Sequence, residues 1–194
     1  MSENQKRLLE KQLWAVANVL RGKMNADEYK NYILGFIFYK YLSEKLENYV
    51  NEKLLISEDF TFAELDEKSK DGSEYLSHIK HHCLDDLGYF LKPTELFSYL
   101  VKKGKGEVKG QENFILEDLK KVLNAIETTS AGTASEDDFK GLFEDVDLGS
   151  TKLGSREKEK NETVSEILSH LAEIDFRLED TKSDILGDAY EYLI

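Results

Sequence analysis

The residues His78, His81, His82 and Cys83 form the densest group of possible metal ligands in the sequence. His78 and His82 are four positions apart, a spacing that places two side chains on one face of a helix. A structural zinc site, however, uses two ligand pairs that are separated along the chain, whereas these residues lie within six positions. We therefore interpret the group as helix-surface histidines beside a buried cysteine, and we predict no metal site.

Neighbouring carboxylates occur several times, but no base or nucleophile accompanies them. Asp85–Asp86, Asp137–Asp138 and Glu144–Asp145 are such pairs in a chain with 39 acidic residues. General acid–base catalysis needs a carboxylate within reach of a reacting partner. We interpret these pairs as solvated surface and as charge at helix N-termini. Cys83 is a poor candidate nucleophile, because nearby acids raise the pKa of a thiol.

Phosphate-binding motifs are also missing from the sequence. The segment GKGEVKG (104–110) is not a Walker A motif, and it is not a GxGxxG motif placed after a strand. No arrangement of a nucleophile with a base supports a small hydrolase. The sequence thus predicts no catalytic and no cofactor-binding residue.

A basic segment, KKGKGEVKG (102–110), is the one local exception to the acidity of the chain. Two interpretations of it stay open. It is either a solubilising turn, or a place where lysines beside glycines follow a nucleic-acid backbone and contact phosphate. The candidate DNA contacts are Lys102, Lys103, Lys105 and Lys109.

The overall charge argues against a protein that grips DNA alone. The chain carries 26 basic and 39 acidic residues, a net charge of −13, and nonspecific DNA affinity comes mainly from neutralising phosphates. A nucleic-acid role is therefore expected to be local, or shared with a more basic partner.

The single cysteine of the chain and the lack of a secretory signal indicate a cytoplasmic protein. The most apolar stretch, Tyr29 to Leu42, is shorter than the roughly 20 residues that span a bilayer, so no membrane is expected.

Helical periodicity dominates the elements that would position these residues, and it predicts an all-α domain of about seven or eight helices. The first helix ends at Gly22, and Asn25 with Glu28 has the spacing of a capping box. The helix that follows, from Ala26 past Tyr49, is apolar on nearly all sides and is expected to be central. Further helices are expected at 74–82, from Pro93, around 116–126, at 135–142, around 164–171 and over the last eleven residues. The segments 51–75, 128–135 and 147–155 are expected to be irregular, a flexible connection and a loop, respectively.

Four blocks of the sequence together resemble the N-terminal region of HsdM-type modification subunits of type I restriction systems. The resemblance covers nearly the whole chain, and each block alone would be weak. They are LWAVANVLRGKMNADEYKNYILGFIFYKYLSEKLE (13–47), LGYFLKPTELF (87–97), LFEDVDLGSTKLGS (142–155) and DILGDAYEYLI (184–194). One departure is Lys160, near which the family usually has an arginine.

The resemblance implies an all-helical domain over residues 1–178. Residues 179–194 would begin a Rossmann-like domain that binds S-adenosylmethionine and methylates the exocyclic amine of adenine. Its Asn-Pro-Pro-aromatic motif would lie beyond Ile194, so no catalytic residue can be carried over. The implied partners are a DNA specificity subunit, a second modification subunit, a restriction subunit, and duplex DNA reached through the complex.

The alternative is a free-standing helical adaptor or regulatory domain that binds another protein and has no link to methylation. The C-terminus is the feature expected to separate the two hypotheses. A stand-alone domain should end in a polar, capped segment, whereas this sequence ends in apolar residues, among them Tyr190, Tyr192 and Leu193.

Overall fold

The computed structural model describes residues 3–176 and 185–193 of the chain. These residues form eight α-helices and contain no β-strand, which confirms the all-α prediction. The helices are α1 (Glu3–Leu20), α2 (Ala26–Tyr49), α3 (Lys70–Asp86), α4 (Phe97–Gly104), α5 (Leu116–Ser130), α6 (Glu136–Phe139), α7 (Glu157–Ala172) and α8 (Ile185–Leu193). A π-helical turn (Val50–Leu54) extends α2, and 3₁₀ turns occur at Phe62–Glu64 and Pro93–Glu95.

The start of α2 is closed by the capping box that the sequence predicts. The backbone N–H of Glu28 donates to Asn25 Oδ1 at 2.9 Å, and the N–H of Asn25 donates to Glu28 Oε2 at 3.1 Å. These bonds satisfy donors that the first turn of a helix leaves open. Gly22, with φ +84°, ends the preceding helix as expected.

Two compact units are built from interleaved segments of the chain. The first unit comprises Met1–Tyr41, Val101–Leu116 and Glu144–Ile194, and the second comprises Leu42–Leu100 and Glu117–Phe143. Helix α2 contributes residues to both units. The proposed domain boundary at 178/179 lies outside the described residues and stays a prediction.

The core of the first unit lies between α1 and α7. Both helices repeat apolar residues at helical spacing, so each has an apolar stripe to bury. The fully buried side chains on these stripes are Leu13, Val16, Leu20, Val164, Ile167, Leu168 and Leu171. Burial of this kind stabilises a domain by roughly 1.5–3 kcal/mol for each large apolar side chain.

The second unit is held by buried polar contacts as well as by apolar packing. The Tyr89 hydroxyl donates to the carbonyl of Leu42 at 2.7 Å, and the backbone N–H of Phe97 donates to Ser43 Oγ at 2.8 Å. Both bonds lie in the interior, where an unpaired polar group would be costly. They fix the segment before α4 against the end of α2.

Four sequence-based boundaries are wrong. The helix expected from Pro93 is α4, which begins at Phe97 after a 3₁₀ turn at Pro93–Glu95. Helix α3 begins at Lys70 rather than near Glu74, because Ser69 Oγ accepts the N–H of Gly72 and caps it. The segment 128–135 is not a plain connection: its first residues complete α5, and Thr133 Oγ1 donates to the carbonyl of Ser130 at 2.7 Å. Helix α6 spans only four residues, and the Ser135 side chain makes no capping bond.

Among the described residues, no helix is long and apolar enough to cross a membrane.

Candidate nucleic-acid interface

The lysine loop, residues 102–110, begins as the last turn of a helix. The N–H of Gly106 donates to the carbonyl of Lys103, and the N–H of Glu107 donates to the carbonyl of Lys102, each at 2.9 Å. Gly106 has φ +74°, a conformation that favours glycine. This pair of bonds is a Schellman motif, which closes the C-terminus of α4. Lys102 and Lys103 are therefore helical, which the sequence analysis did not predict.

Close packing of α4 against α7 anchors the start of the lysine loop. A Cβ placed on Gly104 would lie 3.0 Å from Ser165 Oγ and 3.3 Å from Ser165 Cβ, tighter than most contacts of that kind. Glycine therefore allows the backbone of α4 to approach α7 closely. The lysines that follow start from a packed position in the first unit.

Asn161 of α7 fixes the chain just after the loop. Its Oδ1 accepts the N–H of Ile115 at 2.7 Å, and its Nδ2 donates to the carbonyl of Asn113 at 3.0 Å. Asn161 is 6% exposed; its bond to Ile115 is buried, and its bond to Asn113 is part-buried. One helix thus holds the chain on both sides of the lysine loop.

The four candidate lysines differ in exposure. Lys102, Lys105 and Lys109 are exposed, and Lys103 is half-buried. Lysines at the end of a helix also interact favourably with its dipole, so a purely structural role stays open for Lys102 and Lys103. Lys105 and Lys109 lie beyond the helix, where the interaction of a lysine with the helix dipole is weaker. Whether any of the four contacts DNA stays a prediction.

The negative charge is concentrated in one of the two units. The second unit has 9 basic and 19 acidic residues, a net charge of −10, whereas the first unit has 17 basic and 20 acidic residues, a net charge of −3. The lysine loop belongs to the first unit. Sequence reasoning treated the acidity as a property of the whole chain and could not locate it.

Lys160 and the loop at 147–155 form a polar cluster in the first unit. Lys160 Nζ donates to the carbonyl of Gly149 at 2.9 Å and pairs with Glu157 Oε1 at 2.7 Å. Lys160 therefore forms an ion pair near the position where the resemblance implies an arginine. The Tyr32 hydroxyl donates to the carbonyl of Asp147 at 2.8 Å, and Lys152 forms an ion pair with Glu28.

A buried lysine was missed by the sequence analysis. Lys40 is 2% exposed, and its Nζ lies 4.6 Å from the centre of the Phe176 ring. A cation over an aromatic face gains electrostatic energy that partly offsets desolvation. Lys40 looks in the sequence like an interruption of an apolar run, and only the position of Phe176, far along the chain, would have identified its environment.

The histidine cluster lies on α3. Within the described residues, no group of three or more histidine, cysteine, aspartate or glutamate side chains is placed to hold a metal ion. The rings of His78 and His82 lie 4.6 Å apart on α3. Cys83 is buried as predicted. Burial, with a smaller effect of Asp86, raises the pKa of its thiol to about 12.

Comparisons with known proteins agree on one family. The family described as the HsdM N-terminal domain matches residues 9–171. The chain is 33% identical over 190 residues to the type I restriction enzyme MpnII methylase subunit of Mycoplasma pneumoniae, covering 96% of this chain and 34% of that protein. It is 25% identical over 186 residues to the type I restriction enzyme MjaIX methylase subunit of Methanocaldococcus jannaschii, covering 95% and 30%.

A solved structure is similar as well. It is the type I restriction-modification system methyltransferase subunit from Streptococcus thermophilus, which superposes with a TM-score of 0.73 at 32% identity and covers 97% of this chain and 38% of that one. The chain belongs to the HsdM N-terminal domain family. It spans about a third of the length of the curated relatives it matches.

Proposed function

We propose that this chain is the assembly and DNA-clamping domain of an adenine-specific DNA methyltransferase subunit. Family membership supports this proposal over a free-standing adaptor with no link to methylation. The subunit would work in the cytoplasm with a DNA specificity subunit, a second modification subunit and a restriction subunit. The target base would be extruded from the duplex into the methyltransferase pocket, as enzymes that modify bases require.

S-adenosylmethionine is the methyl donor proposed for the whole subunit. The described residues of this chain do not fit that cofactor, because they contain no strand followed by a glycine-rich turn and a helix. We therefore place no chemical step within this domain. Its residues would bind and orient macromolecules.

The observation that carries the DNA-clamping proposal is the anchored lysine loop. Its charge is positive in an otherwise acidic chain, and α7 fixes the backbone on both sides of it through Ser165 and Asn161. A loop held in this way loses little conformational freedom when it meets a ligand. Phosphate contacts from such lysines would position the duplex without reading its sequence.

Assembly is assigned to the acidic second unit. Its net charge of −10 repels DNA but complements a basic protein surface, and the subunit that reads DNA is expected to be basic. We therefore propose that acidic side chains of the second unit contact the specificity subunit. The two tasks would then lie on differently charged surfaces of one domain.

The test replaces Lys102, Lys103, Lys105 and Lys109 with glutamine in the full-length subunit, assembled with its specificity subunit. Each phosphate contact contributes about 0.9 to the slope of log affinity against log salt. Loss of all four contacts would therefore lower the magnitude of that slope by up to about 3.6. The KM for DNA should rise by an order of magnitude or more, with kcat for methylation unchanged.

A charge-matched control replaces Lys53, Lys80, Lys120 and Lys121, which are exposed residues of the second unit. This control should keep the salt slope and KM of the unmodified complex. Equal slopes in both variants and the unmodified complex would rule out phosphate contact by the lysine loop.

A further inference from the structure

A turn in the second unit displays an exposed isoleucine on a fixed backbone. Ile56 is 79% exposed, more than any other large apolar side chain of the described residues. The N–H of Glu58 donates to the carbonyl of Leu55 at 3.0 Å, which closes a turn with Ile56 as its second residue. Leu55 is buried, and the N–H of Phe62 donates to Asn51 Oδ1 at 2.8 Å. The chain is therefore held on both sides of Ile56, and a partner would meet this side chain without first ordering the segment.

Two aromatic rings and three carboxylates accompany this turn. The rings of Phe60 and Tyr75 lie 5.4 Å apart in an edge-to-face arrangement, and both side chains are half-buried. The Tyr75 hydroxyl donates to the carboxylate of Glu58, which joins the turn to α3, and this bond is the largest cause of a raised pKa of the tyrosine. Burial and the negative charges of Glu58, Asp71 and Asp59 raise that pKa further, so all three carboxylates act on one hydroxyl.

These residues form a surface with an apolar centre and an acidic border. We call it the Ile56 patch; its members are Ile56, Phe60, Tyr75, Glu58, Asp59 and Asp71. Residues 50–75 have eight acidic and three basic side chains, a net charge of −5, which is half of the net charge of the second unit. Among the described residues, neither Asp59 nor Asp71 forms an ion pair. A lone exposed isoleucine is ordinary on a protein surface, but an apolar centre inside a polar border is the composition of a protein interface.

We propose that the Ile56 patch is the docking site of the second unit for the specificity subunit, with Ile56 inserted into an apolar pocket that is bordered by basic side chains. This inference rests on the proposed function, which assigns assembly to the second unit. Charge complementarity selects this occupant, because a subunit that reads DNA is expected to be basic. Arginine suits the border best, since its guanidinium both stacks on an aromatic ring such as Tyr75 and pairs with carboxylates.

Other occupants fit the charge of the patch less well. Duplex DNA is a polyanion, so the carboxylates of the patch would repel it. A second copy of this chain, related by a two-fold axis, would present the same patch to itself. Like carboxylates would then face each other without a cation between them.

The test measures the affinity of the full-length subunit for its specificity subunit by isothermal titration calorimetry at several salt concentrations. Ile56→Ser should weaken binding at least about tenfold, whereas Ile56→Leu, which keeps the side-chain volume, should stay within about threefold of the original. Asp59→Asn with Asp71→Asn should weaken binding at low salt and make it less dependent on salt. The matched control, Asp137→Asn with Asp138→Asn at exposed positions of α6, should keep both values. Because all these side chains are exposed, the variants should melt close to the temperature of the original chain.

Three results would overturn the inference. Unchanged affinity in Ile56→Ser is the first; if the Asp137/Asp138 variant lowered affinity instead, the specificity subunit would dock elsewhere on the second unit and the proposed function would stand. The second is self-association of the isolated chain that Ile56→Ser abolishes while assembly stays intact, which would identify a second copy as the occupant. The third is equal affinity of the specificity subunit for a subunit that lacks residues 1–178, in which case the proposed assembly role falls and the inference falls with it.

Discussion

The amide of Asn161 satisfies two backbone groups beside the lysine loop. Replacement by alanine would leave the buried N–H of Ile115 and the part-buried carbonyl of Asn113 without this partner. An unsatisfied buried group costs about 1–3 kcal/mol. We predict that Asn161→Ala lowers the free energy of unfolding by at least about 2 kcal/mol in urea denaturation. Asn124→Ala, at an exposed position of α5, should change it by less than about 0.5 kcal/mol; equal effects at the two positions would contradict the anchoring role.

Cys83 should be nearly inert in the folded protein. The thiolate is the reactive form, and a pKa of about 12 in place of 9.0 lowers its fraction at pH 8 about a thousandfold. We predict that a thiol reagent labels native Cys83 at least a thousandfold more slowly than glutathione, and at a comparable rate once the chain is unfolded in urea. Rapid labelling of the native chain would show that the thiol is accessible and ionised.

Two helices are closed at their N-termini by carboxylates whose pKa is lowered. A hydrogen bond from Lys152, and then one from the Asn25 backbone, lower the pKa of Glu28. Hydrogen bonds from the side chain and backbone of Ser155 lower the pKa of Glu159. Because both folded pKa values lie below 4.5, their contribution is present above that pH and is lost as the pH falls through the folded pKa.

We therefore predict that stability to urea falls as the pH is lowered from 5 to 3, and that this fall is shallower in the double variant Glu28→Gln with Glu159→Gln. The matched control, Glu162→Gln with Glu166→Gln, removes two exposed carboxyls of α7 that cap no helix. It should keep the pH dependence of the original chain. The prediction fails if the two double variants give the same pH profile.

At position 72, we expect alanine to lower the stability of the protein, although alanine usually stabilises a helix relative to glycine. Alanine normally stabilises a helix by about 1 kcal/mol relative to glycine, but a Cβ on Gly72 would lie 1.9 Å from the carbonyl oxygen of Asp66. The backbone would have to move to relieve that overlap. We predict that Gly72→Ala lowers the melting temperature, whereas Ser77→Ala, at an exposed position of the same helix, leaves it unchanged or raises it slightly. A melting temperature raised by Gly72→Ala would contradict this packing.

Gly72 also explains where sequence reasoning stops. The bounds of α2 follow from local chemistry, because a capping box and an apolar run lie within the segment itself. The early start of α3 depends on the Ser69 cap, and the glycine at position 72 argues against a helix when read alone. The anchoring of the lysine loop likewise requires α7, about 50 residues further along. Composition predicts the basic residues of the loop but not the elements that hold them.

At the scale of the whole molecule, the net negative charge of the chain predicts how DNA binding is divided between this chain and the specificity subunit. The isolated chain, with a net charge of −13, should bind duplex DNA weakly even at low salt. The complex of the full-length subunit with its specificity subunit should bind tightly and with a steep salt dependence. A binding titration by fluorescence anisotropy on one labelled duplex compares the two. Tight binding by the isolated chain, with a slope as steep as that of the complex, would contradict the assignment of sequence reading to the partner.

The most direct test of the central claim is removal of residues 1–178 from the full-length subunit, followed by sedimentation velocity with the specificity subunit and a methylation assay. Calorimetric binding of S-adenosylmethionine by the shortened protein would show that its remaining domain is folded. We predict that the shortened protein still binds the cofactor but neither assembles nor methylates duplex DNA. A shortened protein that assembles and methylates at the original rate would contradict the assembly and clamping role of this domain.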